Sequence, residues 1–322
     1  PAEFMAAVIS NGGGYYSTLA YISEARRMGI TVLGPDINES DWNYRGSGKT
    51  IRMGVQQLRN IQKDVLQAIL EERKQNGPFA GLDDFLRRVK LGPADGSILV
   101  KSGALDSLAA GLQQTRQPSG ARREEPSINR EALQIRNQKP PARLNRPQLQ
   151  WVVEAWLNGN SPSLTGGKQI DLPLFPYSRM VLAVPPLTDL KPERKRQQEI
   201  ETLGFVLSVH PLILWGPVVR TLPYRPVPAS ELAQHVGKRL WVLGWPITRK
   251  EIMTKEGEPM EFFSFEDQTA IFETVFFPKA FKRFCQDLDM NRPYLLCGRV
   301  ESEFSTVSLN VQSVQKLKPL PA

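Results

Sequence analysis

The chain has 322 residues, with 41 Lys+Arg against 33 Asp+Glu for a formal net charge of +8, and 41% of it is hydrophobic. That length exceeds one ordinary core and suggests two or three domains, while no apolar run approaches the ~20 residues that cross a bilayer, which excludes a membrane span. Cys285 and Cys297 cannot form a disulfide framework, and with only His210 and His235 beside them a structural zinc site is excluded, so a reducing compartment is expected. The positive balance points to a polyanionic partner, nucleic acid first.

At the N-terminus, Pro1-Ala-Glu-Phe-Met-Ala-Ala7 has no basic leader, apolar core or cleavage site, and an apolar helical pattern starting at the second residue reads as a chain cut within a larger domain. From Ala2 to about Leu108 the pattern is mainly helical. Leu19, Ile22 and Ala25 recur at helical spacing before Gly29, Val65, Ile69 and Leu70 form a stripe over Lys63 to Arg73, and a further helix runs from Leu82, capped by Asp83. Residues 111–150 hold eight basic residues (Arg116, Arg122, Arg123, Arg130, Arg136, Lys139, Arg143, Arg146) against three acidic ones, and read as a basic connector. A helix from Trp151 to Leu157 follows. The peptide Gln169-Ile-Asp-Leu-Pro-Leu-Phe175 sits between Ser/Pro/Gly-rich flanks, the layout of a docking peptide. Residues 194–203 return to helix, ended by Gly204, and Leu214 to Pro228 reads as an extended Pro-rich crossing.

The last part gives the clearest pattern. Runs at Leu240–Ile247, Met260–Glu266, Ile271–Phe277, Tyr294–Val300 and Thr306–Val314, with a helix at Lys279–Leu288, give the order β-β-β-α-β-β. A five-stranded barrel with a helix between its third and fourth strands is the OB-fold, whose second and third strands often hold single-stranded nucleic acid. Gly244 and Gly298 are expected at its bends. The fold class is therefore α+β multidomain, with a mainly helical N-terminal part and a C-terminal OB barrel. The segments expected are 1–76, 77–160, 161–239 and 240–317.

Arg249, Lys250 and Lys255 fall on the first strand connection and Arg299 near the last, places from which such a barrel meets a phosphate backbone. Phe263 and Phe265 share one face of the second strand and Phe262 the other. One face is core and the other offers a stacking platform, alternation leaving open which is which; the competing reading is that all these rings fill the barrel and the charges are merely solvated. Ile98 to Leu108 resembles a helix-hairpin-helix, whose tight turn at Ser102-Gly103-Ala104, next to Lys101, would offer backbone N–H groups to a phosphate; an ordinary glycine turn is the competing reading. A second candidate at Gly54 to Ile69 has Asn60 and Gln62 where glycines belong. Acidic pairs at Asp83-Asp84 and Asp287/Asp289 are read as helix-end carboxylates rather than metal ligands. His210 reads as a packed loop histidine, and the Gly12-Gly13-Gly14 run as a turn.

Taken together, Pro1-Ala-Glu-Phe-Met-Ala-Ala7, Glu24-Ala-Arg-Arg-Met-Gly-Ile30, Gly34-Pro-Asp-Ile-Asn38, Ser102-Gly-Ala-Leu-Asp106 and Glu201-Thr-Leu-Gly-Phe-Val-Leu-Ser-Val-His-Pro211 resemble, in this order, the bacterial C-family replicative DNA polymerases. The resemblance implies late fingers helices, a helix-hairpin-helix region and an OB domain. It implies primer-template DNA, single-stranded DNA and the sliding clamp as partners, in the bacterial cytoplasm at the nucleoid, with no membrane. It also implies that the clamp is bound through Gln169, Ile170, Asp171, Leu172, Leu174 and Phe175, similar to the Gln-Leu-x-Leu-x-Leu form of that family's peptide. Its palm carboxylates, with their Mg2+, would lie before Pro1, so no catalytic residue, metal ligand or cofactor is expected in this chain, which would be inactive alone. Little follows the barrel, which leaves a contact with the clamp loader's tau subunit without support. A stand-alone single-strand-binding or RNA-binding module, and a non-catalytic docking scaffold, are the rival classes.

Overall fold

In a computed structural model, residues 1–12, 14–113, 143–158, 184–303 and 306–318 are described. The docking peptide at 169–175 and the basic residues from Arg116 to Lys139 lie outside them. The chain divides into two compact units. One comprises residues 1–33, 43–52 and 205–322, the other 34–42 and 53–204.

The first unit opens with α1 (Ala2–Asn11) and α2 (Thr18–Arg27), the latter capped by the Ser17 hydroxyl accepting from the Ala20 N–H at 3.3 Å. A small sheet follows, β1 (Thr31–Leu33), β2 (Arg45–Ser47) and β3 (Thr50–Arg52), in the order β1-β3-β2. The sequence pattern gave this stretch as helical. Three-residue strands are too short to show a period of two, so the sheet left no signal.

The barrel consists of β4 (Arg239–Met253), β5 (Pro259–Glu266), β6 (Ile271–Phe276), β7 (Tyr294–Glu303) and β8 (Thr306–Lys316), closed in the order β4-β5-β6-β8-β7. A helix at Pro278–Phe284, continued by a 3-10 turn to Asp287, lies between β6 and β7. This is the OB topology that the strand order called for. Phe263, Phe265, Phe272, Phe276, Tyr294, Leu296, Val300 and Leu309 fill its core. Phe263 and Phe265 thus face inward, and Phe262 stands on the outside, 39% exposed. A Cβ on Gly244 would meet Phe265 and Phe272, and one on Gly298 would overlap the Asn310 carbonyl, so both glycines mark close approaches; the ladder shifts register beside Gly298.

The sequence reading ended the first strand at Ile247, but pairing with β5 carries it to Met253, which places Arg249 and Lys250 on the strand rather than in a connection. A register shift between Pro246 and Thr248 puts Arg249 opposite inward-facing Phe263, with about a third of its side chain still exposed. Its guanidinium donates to the carboxylate of Glu261, which is 1% exposed, and to the Leu288 and Cys285 carbonyls, and lies 5.4 Å from the Phe263 ring. Arg249 therefore neutralises a buried carboxylate at the barrel end covered by the helix. Burial, followed by the neighbouring Glu261, pushes the Cys285 thiol well above its ordinary value, which leaves it unreactive.

The connector into the barrel is not the extended crossing expected from Leu214 on. Pro211–Trp215 is a 3-10 turn and Gly216–Val219 a single helical turn, since prolines at first-turn positions start helices as readily as they break them.

In the second unit, α3 (Lys63–Asn76), α4 (Leu82–Arg88), α5 (Pro93–Ser102), α6 (Arg146–Leu157) and α7 (Pro192–Leu203) pack around Leu66, Ile69, Phe85, Leu99 and Val152. Asn145 and Gln148 form a reciprocal capping box that starts α6 five residues before the expected Trp151. Gly81, not Asp83, is the N-cap of α4; Asp84 instead accepts from the Ala80 N–H at 2.9 Å, and Asp83 pairs with Arg87. Arg88 ties this region together, donating to Glu72, Asp84 and the Gly77 carbonyl over the Phe79 ring.

Two substitutions three residues apart test the inside and outside of β5. Phe265→Ala should destabilise the chain by about 3–5 kcal/mol in urea unfolding and Phe262→Ala by well under about 1 kcal/mol. Arg249→Ala should cost about 3 kcal/mol because it strands the Glu261 carboxylate, while Lys250→Ala stays within about 0.5 kcal/mol.

Candidate nucleic-acid interface

The outward residues of the barrel are fixed by the ladder register. Lys250 on β4 opposes Phe262 on β5, Phe262 opposes Val275 on β6, Val275 opposes Asn310 on β8, Asn310 opposes Arg299 on β7, and Arg299 opposes Arg239 back on β4. One belt around the barrel therefore carries three cations and one exposed ring. Lys250, Arg299 and Arg239 are exposed. Lys255, in the β4–β5 turn, is exposed beyond its end.

The next belt differs in chemistry. Ser264 opposes Glu273, Glu273 opposes Ser308, and Ser308 opposes Glu301, with the Ser264 hydroxyl donating to the Glu273 carboxylate at 2.8 Å. Beyond it, Glu266 is 1% exposed and covered by the chain itself. It accepts from the Ser23 hydroxyl at 3.1 Å and from Arg27 at 3.2 Å, and the His210 Nε2 lies 3.4 Å away. His210 Nδ1 accepts from the Leu212 N–H, which places the ring proton on Nε2, facing Glu266. Arg26 donates to the Leu207 carbonyl. The arginines of α2 thus serve internal contacts. A cavity of about 590 Å³ opens beside them, lined by residues that include Met5, Tyr21, Arg27, Met28 and Ile271.

The hairpin turn is formed as the sequence suggested on its first side and differently on its second. The helix α5 ends at Ser102, Gly103 takes the left-handed conformation (φ 83°), and the next element, Asp106–Gln113, is 3-10 rather than α. The Gly103 N–H donates to the Val100 carbonyl at 3.0 Å and the Ala104 N–H to the Ser102 hydroxyl at 3.4 Å, so both turn amides are engaged within the protein. Ser102 is buried. Lys101 sits 3.5 Å from Glu201, half-exposed, and Arg146 bridges the turn from the Lys101 carbonyl to Asp106. An added Cβ on Gly103 would strike the Arg146 guanidinium.

At the second hairpin candidate, Asn60 itself adopts positive φ (60°), a conformation Asn tolerates better than other side chains, and the Gln62 N–H is taken by buried Asp95 at 3.1 Å. Among the described residues no group of three or more His, Cys, Asp or Glu could hold a metal ion, and no helix is long and apolar enough to cross a membrane. Asp289 pairs with Arg292 and accepts from the Asn291 N–H. The belt contact Arg239 and the rings at Tyr224 and Trp241 were not singled out in the sequence. Only the ladder register brings Arg239 opposite Arg299.

A helix-hairpin-helix family model matches residues 29–116. Among curated proteins, the chain is 28% identical to the DNA polymerase III subunit alpha of Saccharopolyspora erythraea over 96% of its own length and 24% of the relative's. It is 28% identical to that of Thermus aquaticus over 94% and 22%, and 24% identical to that of Staphylococcus epidermidis over 98% and 26%. Two solved domains of replication protein A from Methanococcus maripaludis are similar over 29% and 27% of the chain, at 11% and 13% identity with TM-scores of 0.25 and 0.20. The chain spans about a quarter of the length of the curated relatives it matches. Over nearly the whole of its own length, it is a homologue of DNA polymerase III alpha subunits.

Proposed function

We propose that this chain is a DNA-gripping and clamp-tethering part of a DNA-directed DNA polymerase, a nucleotidyltransferase. The observation that carries the proposal is the match of 94–98% of the chain to DNA polymerase III alpha subunits, with an OB barrel at the end of the match. The grip would be electrostatic and independent of sequence. Lys250, Lys255 and Arg299 meet phosphates of a single strand, and Phe262 offers a ring on which a base stacks. At the hairpin turn Lys101 supplies charge towards duplex DNA; with the Gly103 and Ala104 amides engaged, the turn contributes its cation and its shape more than free N–H groups. Arg249 is left out of the contact set because Glu261 holds it.

The clamp would be bound by the peptide at 169–175. Gln169 anchors through hydrogen bonds, Asp171 lies between the apolar positions, and Ile170, Leu172, Leu174 and Phe175 fill an apolar pocket on the partner. Several weak attachments on one chain suffice, because each raises the effective concentration of the next. The chemistry of nucleotide addition, with its magnesium, would belong to carboxylates that this sequence does not match, and we assign no catalytic residue here.

Titration of a labelled primer-template and a labelled single strand at two salt concentrations tests the grip. Affinity for both should fall steeply with salt, with Lys101→Ala weakening duplex binding and Phe262→Ala weakening single-strand binding by about five-fold or more. A salt-independent affinity would overturn the reading. For the tether, Gln169→Ala combined with Leu172→Ala should abolish binding to a purified sliding clamp with DNA affinity unchanged, and clamp binding retained by that double variant would end the claim for the peptide.

A further inference from the structure

Inside the first unit, one outer surface of the barrel is built differently from the β5–β6 face. The segment before the barrel runs along β4, held by the Val227 N–H donating to the Trp241 carbonyl at 2.8 Å. This lays the Tyr224 ring on the Trp241 indole, with centroids 4.8 Å apart and planes 10° from parallel. Tyr224 remains 49% exposed. Trp241 shares its face of β4 with Arg239 two residues earlier, about 7 Å away at ~3.4 Å per residue.

Arg239 in turn lies directly opposite Arg299 on β7. Like charges directly opposed across a ladder repel. Among the described residues no carboxylate forms an ion pair with either arginine, and neither guanidinium lies over an aromatic ring. Glu301, the nearest acid on the same face of β7, is held by the Asn310 amide at 3.4 Å. Two exposed arginines set against each other beside a flat, solvent-facing pair of rings carry an electrostatic cost that no ion pair among the described residues relieves. A phosphate would relieve it, and the adjacent ring pair would take the base.

The β5–β6 face offers less. Beyond Phe262 it presents Ser264 with the Glu273 carboxylate and then Glu266, already covered by Ser23, Arg27 and His210. We propose that Tyr224, Trp241, Arg239 and Arg299 form a second station for single-stranded nucleic acid on the β4–β7 side of the barrel, taking one nucleotide by base stacking and phosphate pairing. This rests on the single-strand grip proposed above and adds a site to it.

The test uses the full chain and a 5′-labelled oligothymidylate of about 16 nucleotides, the upper site size of one OB barrel, read by fluorescence anisotropy at two salt concentrations. Tyr224→Ala, at an exposed position, should weaken binding by about five-fold or more, and Trp241→Phe, which keeps a ring to stack on, should stay within about two-fold. Arg239→Gln should weaken binding at both salts and lower the slope of log affinity against log salt by about 1. Circular dichroism of each variant shows whether the barrel is intact. If Tyr224→Ala and Arg239→Gln both bind as the parent does while Phe262→Ala is weakened, the second station is overturned and the single-strand reading stands. If the parent chain itself binds no oligothymidylate at either salt, the single-strand reading falls and the station with it.

Discussion

A carboxylate with almost no water contact must be neutralised by what surrounds it, and Glu266 imposes this condition on the first unit. It lies at the end of β5 and points out of the barrel, where a side chain would ordinarily meet solvent. Ser23 and Arg27 from α2 supply its donors, drawn from positions 243 and 239 residues away along the chain, and the His210 Nε2 of the connector lies 3.4 Å from it. Asp267, next in sequence, adds to this by accepting the Arg27 guanidinium on its carbonyl and the Ala229 N–H on its carboxylate. The N-terminal helices and the barrel are therefore one cooperative unit. Removing any donor would leave a charge in a place from which water is excluded.

This arrangement decides which surfaces of the barrel remain for a ligand. The second strand of an OB barrel is a common stacking platform. Here its outer face is usable only near Phe262, because Ser264 is engaged by Glu273 and Glu266 is buried. The cations follow the same division. Lys250, Arg239 and Arg299 share the belt of Phe262, and the next belt is acidic. Lys250 beside Phe262 and Arg239 opposite Arg299 lie eleven residues apart along β4, so the outer cations form two separate groups that attract a polyanion without reading its sequence.

The barrel was legible because five half-buried strands each write a period of two, and one helix in the fourth place narrows the topology to a single order. Which face of β5 is core was not legible, since alternation defines two faces and labels neither; burial of Phe263 and Phe265 settles it. Arg249 shows why single positions mislead. It lies between residues that read as a basic loop, and only the slip between Pro246 and Thr248, which exchanges the two faces, brings it opposite Phe263, where its partly exposed guanidinium meets buried Glu261. Arg26 and Arg27 likewise look like surface charge at a helix end until the distant Leu207 and Glu266 are brought to them. Long-range partners leave no trace in local spacing.

The same reasoning separates two kinds of glycine turn. A tight turn presents free amides to a phosphate only if nothing nearer accepts from them. At Gly103 the preceding helix takes one N–H and the Ser102 hydroxyl takes the next, while the Arg146 guanidinium lies over the turn and requires that position to have no side chain. At Asn60 the left-handed conformation survives without glycine, because an asparagine can hold it, and the Gln62 N–H just before the helix is taken by Asp95 from within. The Gly103 turn thus directs its amides to the protein, and at the second turn the Gln62 amide does the same. On the DNA-gripping reading proposed above, attraction would come from side chains at their rims, of which Lys101 is one, and from the outer cations of the barrel. Such a grip, distributed over separated charges, would weaken as salt rises in proportion to the number of phosphates it meets, and would hold DNA without preferring any particular base.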